Sequence, residues 1–123
     1  MNGIVARVEG SNDPAFGTTG AKLRDALDAL ERSSKWLLEK LASAPNDALA
    51  GATPYMRLFA SALGGCMLAN EAMAARDGDG ESARYVSVAR FFAETIAVQA
   101  GALERTVMDS AEAVMAADAA LLG

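Results

Sequence analysis

The side chains able to do chemistry are few, and the most informative type is missing: the chain contains no histidine. That removes Ser-His-Asp and Cys-His nucleophilic catalysis, imidazole general bases, and the usual zinc and di-iron sites. Cys66 stands alone in Leu63-Gly64-Gly65-Cys66-Met67-Leu68, with no intrachain disulfide partner and no second thiolate for a metal. With no basic group to activate it, it reads as a small buried hydrophobe in a reducing, cytoplasmic compartment. Paired carboxylates for acid–base work must converge in a cleft. Here each acidic pair lies in a loop or one helical turn from a cation, as in Asp28 with Arg32 and Glu31 with Lys35.

Asp77-Gly78-Asp79-Gly80-Glu81 carries two incomplete motifs. As a calcium loop it offers acids at the first, third and fifth positions, but Ser82 replaces the sixth-position glycine and Val88 the closing glutamate. As a dinucleotide fingerprint, Gly78, Gly80 and Ala83 have the spacing, yet they follow a helix rather than a strand and three carboxylates would repel a pyrophosphate. The segment is expected to be a solvated turn. No catalytic, cofactor-binding or metal-binding residue is assigned.

The elements that would position any such groups read as helices. In 123 residues there is room for one core. The chain is 52% hydrophobic, but 28 alanines against seven aromatics make that content mostly small, which disfavours large ligand cavities. A net charge of −5 with no basic stripe argues against nucleic acid. The longest uncharged run, Leu58 to Ala69, is little more than half of the roughly 20 residues a bilayer crossing needs, so no membrane partner is expected. Met1 to Gly10 lacks the pattern of a signal peptide.

Gly3, Gly10, Asn12-Asp13-Pro14, Gly17 and Gly20 punctuate residues 1–20 often enough to predict an irregular arm. Residues 21–123 read as a helical bundle domain. Leucines at 23, 27, 30, 37 and 41 mark a stripe over Ala21 to Ser43, ended by Ala44-Pro45. A short turn over Ala48 to Ala52 leads to Thr53-Pro54 and a helix to Arg76 whose apolar residues cover most of its circumference, so neighbours must surround it. Gly64-Gly65 inside it implies close packing against another backbone. A third helix is expected from Glu81 to Thr106, and Asp109-Ser110 should cap a short last one from Ala111 to about Leu121. The expected fold is all-α: an up-down-up bundle of three long helices plus a short C-terminal helix. Arg57 and Arg90, set in apolar stretches, are expected either to pair across helices with Glu71 or Glu94 or to point at an acid of another domain.

Two of these stretches carry a resemblance. Ala52-Thr53-Pro54-Tyr55-Met56-Arg57-Leu58-Phe59, continuing through Gly64-Gly65-Cys66-Met67-Leu68-Ala69, together with Ala89-Arg90-Phe91-Phe92-Ala93-Glu94, resembles the C-terminal helical domain of acyl-CoA dehydrogenases, in the 3-methylmercaptopropionyl-CoA dehydrogenase-like subgroup. The likeness runs from about Leu23 to the end. Asn2-Gly3-Ile4 is similar to the Asn-Gly-Ile that follows the family's Glu-Gly-Thr turn, although Val5 stands where the family often has Gln. The resemblance implies a parent activity, FAD-dependent α,β-dehydrogenation of an acyl-CoA thioester, in which the glutamate of that turn removes the α-proton and FAD takes the β-hydride. It implies that this polypeptide begins after that glutamate, binds no FAD alone, and is inactive by itself. Its partners would be the catalytic domains of the parent enzyme and other copies in a homo-oligomer. Two alternatives are a stand-alone helical protein that homodimerises through Gly64-Gly65 or through Phe91 and Phe92, and a small acyl-binding module built on Met56, Met67 and Met73 near Phe59. Separation from a large partner should also leave an exposed apolar patch and self-association.

Overall fold

A computed structural model describes residues 1–78 and 81–122, leaving out the side chains of Asp118 and Leu122. The described residues hold no strand; they form α1 (Asn2–Gly10), α2 (Thr19–Ser43), α3 (Pro45–Ala50), α4 (Ala52–Asp77), α5 (Ser82–Thr95), α6 (Ala100–Asp109) and α7 (Ala111–Leu122), with 3-10 turns at Pro14–Phe16 and Ala97–Gln99. The all-α bundle is as expected. Leu23, Leu27 and Leu30 of α2 are buried, on a helix that packs against α1, α3, α4 and α6, whereas Leu37 is half-buried and Leu41 exposed.

The arm departs from the expected irregularity. Val5 and Val8, one turn apart, bury fully on α2 and α4, so α1 is helical because tertiary contact rewards that spacing. Its glycines stand in the first turn and at the last residue, with open space around both, where they interrupt little. Gly20 belongs to α2 rather than to the lead-in; a Cβ there would lie 2.9 Å from Cγ of Glu9, at the place where α1 crosses α2. Between them, Asp13 accepts from the amide of Ala15 and pairs with Arg76 at 3.1 Å, while the Arg76 guanidinium lies 5.8 Å from the Phe16 ring centroid.

The third long helix is broken. The Thr95 hydroxyl donates to the carbonyl of Phe91 at 2.6 Å and the Gln99 amide donates to that of Thr95 at 2.9 Å. Such side-chain bonds compete with the helical ladder and bend it. Ala97 and Ala100, both buried, then turn the chain closely onto the body. At the last junction the Ser110 hydroxyl is buried with no partner, so it supplies no cap.

Candidate functional site

The part of the molecule with most unspent chemistry is α4. One side, Leu58, Ala62, Gly65, Cys66, Ala69, Ala72 and Met73, is buried in the core. The opposite side carries Met56 and Met67, 60% and 63% exposed, and Phe59 and Leu63, each 37% exposed. The sequence expectation that neighbours surround this helix is met on one side only among the described residues. By length and composition α4, and the span from α5 to the end of α6, are apolar enough to cross a bilayer, yet only 39% of the α4 window is buried in this chain.

Gly64 and Gly65 meet side chains, not a backbone. A Cβ on Gly65 would stand 2.5 Å from Cδ2 of Leu23, and one on Gly64 would stand 3.3 Å from Cζ of Phe92. The close backbone approach is at Gly51, where a Cβ would lie 2.6 Å from the carbonyl oxygen of Val107 in α6. Phe92 is half-buried over the paired glycines while Phe91 points away, 67% exposed.

Arg90 and Glu94 are paired, but along one helix rather than across two: Nε of Arg90 donates to Oε1 of Glu94 at 3.1 Å. The same oxygen accepts from the amide of Thr18 at 3.1 Å and from its hydroxyl at 2.9 Å. These Thr18 donors, with Arg90 adding to them, hold the Glu94 carboxyl below the usual glutamate range. Gly17 at φ +54° passes so close that a Cβ would fall 2.5 Å from Nε of Arg90. The cluster pins the start of α2 to α5. Arg57 and Glu71 are exposed and in no ion pair or side-chain hydrogen bond among the described residues. Lys35 does pair with Glu31 at 3.2 Å, but Arg32 turns from Asp28 to Glu104 on α6, at 2.6 Å.

Cys66 is buried, and burial pushes its thiol up, away from the nucleophilic thiolate. No group of acids or cysteine among the described residues could hold a metal ion. Asp79 and Gly80 lie outside the described residues, and with them the middle of the expected solvated turn. The three methionines do not share a pocket: Met73 is in the core, whereas Met56 and Met67 lie on the outer face. Met56 does close a small apolar cavity of about 170 Å3 with Leu37, Leu41, Leu49 and Tyr55.

A flavin does not fit these surfaces. One cleft, about 830 Å3 beside Trp36 and Met115, is rimmed by Asp47, Asp109 and Glu112 against Lys40, which opposes a pyrophosphate. A second, of about 300 Å3, sets Asp25 and Asp28 beside Lys22 and Arg32.

A family model described as acetyl-CoA dehydrogenase C-terminal like matches residues 1–118. The chain belongs to that family. The match takes in α1 as well as the bundle, so this C-terminal-like domain extends over the segment that reads from sequence as an arm. No curated protein and no solved structure is significantly similar to the domain.

Proposed function

We propose that the chain is the helical C-terminal domain of an FAD-dependent acyl-CoA dehydrogenase, of the 3-methylmercaptopropionyl-CoA dehydrogenase-like subgroup, and that its role there is structural. The parent reaction is α,β-dehydrogenation of an acyl-CoA thioester in the cytoplasm. In this reading the proton-abstracting base and the flavin belong to catalytic domains beyond this fold, and the helices supply a rigid surface against which protein packs. The observation that carries it is the outer side of α4, where Met56, Phe59, Leu63 and Met67 face solvent in a chain that matches a dehydrogenase C-terminal family. An exposed run of large apolar side chains on a rigid helix marks a contact surface.

The test is activity. Purified chain, given FAD, an acyl-CoA thioester and an artificial electron acceptor, is expected to retain no flavin absorbance after gel filtration and to reduce no acceptor. Turnover by the chain unaided would overturn the structural role.

A further inference from the structure

Along the outer side of α4, Met56, Ala60, Leu63, Met67, Asn70 and Ala74 recur in steps of four and three, and all six are exposed. That is the 3.5-residue spacing of a helix that packs along its length against another helix. The seam is centred near residue 65.

The charges on α4 are equally ordered. From Ala52 to Ala75 the helix carries two, Arg57 and Glu71, of opposite sign and fourteen residues apart. Fourteen residues are close to four turns, so both lie on one flank of the seam, within about 40° of each other and about 21 Å apart along the axis. Neither has an ion-pair partner among the described residues, whereas Arg76 pairs with Asp13 and Asp77 with Arg7. Among the described residues, the helix leaves uncompensated only the two charges that bracket the seam.

We infer that a second copy of this chain covers the α4 face, its α4 antiparallel to the first across a two-fold axis. Such an axis lies in the contact plane, perpendicular to the helices, and carries a residue at one height on a flank to the opposite height on the partner's same flank. Arg57 of each copy therefore meets Glu71 of the other, twice, if the axis passes residue 64, the midpoint of the charges and within one residue of the seam's centre. A parallel pairing, about a two-fold axis running along the helices, would carry both charges to the opposite flank, where neither meets its opposite. An isologous contact needs a self-complementary surface, and this one is self-complementary in both apolar spacing and charge. The inference takes from the proposed function only the idea that this face is a contact surface. A chain that dimerises in this way and also oxidises acyl-CoA would keep the one and lose the other.

Sedimentation velocity on the full chain, from about 1 to 100 µM, reads the dimer constant. Arg57→Glu and Glu71→Arg should each weaken the dimer about tenfold, since each turns two attractions into repulsions. The double reversal should return to within about threefold of wild type. Leu63→Glu, with Met67→Glu as a second and more exposed replacement, should weaken it about a hundredfold. Far-UV circular dichroism of each variant checks that the fold is kept. A chain monomeric at every concentration overturns the inference, and that includes the case in which a different polypeptide covers this face. So does a double reversal no tighter than the single ones, or a dimer that survives both glutamate substitutions.

Discussion

The two sides of α4 invert the usual order of sizes. The buried side is mostly small, with Ala62, Gly65, Cys66, Ala69 and Ala72, while the exposed side holds Met56, Phe59, Leu63 and Met67. Small residues let α2 and α5 come close enough for Leu23 and Phe92 to fill the gap over Gly64 and Gly65, so the tight packing of the body is made by neighbours leaning in. Large residues on the other side stand exposed, Met56 closing a small cavity against Leu37 and Leu41. One helix thus serves as the spine of this chain and also carries its exposed run of large apolar side chains.

The sharpest way to break that contrast is to truncate both sides in dilute solution, where any self-association is absent. Leu58 is fully buried, and Leu58→Ala should cost about 3 kcal/mol in urea unfolding followed by circular dichroism. Met67→Ala, on the outer face, should change stability by less than about 0.5 kcal/mol under the same conditions. Equal losses would show that the outer side is part of the folded core.

A smaller effect separates the adjacent glycines. Alanine gains about 1 kcal/mol over glycine in a helix interior. At Gly65 the new methyl collides with Leu23 at 2.5 Å, beside a Phe92 that is itself in contact, so Gly65→Ala should be destabilising by about 1 kcal/mol despite that gain. At Gly64 the nearest atom is Cζ of Phe92 at 3.3 Å, so Gly64→Ala should fall within about 0.5 kcal/mol of wild type. Thermal unfolding of both variants checks it; two identical shifts would mean that backbone propensity alone sets the outcome.

The helical class and the α2 stripe were legible because leucine spacing reports burial directly, and Leu23, Leu27 and Leu30 are buried as their spacing required. The helicity of α1 was hidden, since Gly3 and Gly10 mark ends rather than interruptions and the reward for Val5 and Val8 comes from α2 and α4, remote in sequence. The break after Thr95 had a local signal, a threonine and a glutamine four residues apart that both bond back to carbonyls, but hydrophobic periodicity runs straight through it. The outer face was half visible. An all-round apolar helix implied neighbours on every side, yet which side stays uncovered depends on where α2, α5 and α6 lie. The partners of Arg32 and Glu94 came from α6 and from the start of α2, contacts that no spacing within one helix announces.

The smallest effect concerns the polar rim rather than the two apolar sides, and it shows in acid. The Thr18 amide and hydroxyl, helped by Arg90, hold the Glu94 carboxyl below its ordinary value of about 4.3 in the folded chain. A carboxylate depressed by folding contributes stability that is complete above its unfolded value and is lost as pH falls through the folded one, because the unfolded chain then binds the proton first. Glu94→Gln keeps an oxygen that can accept from Thr18 but removes the charge that Arg90 meets. The variant should therefore unfold more easily than wild type at pH 7, with the difference closing below about pH 4. Melting temperatures from pH 7 to pH 3 for the two chains test this. A gap that stays constant across that range would mean that the pin between Gly17-Thr18 and α5 is held by geometry, with no part played by the charge on Glu94.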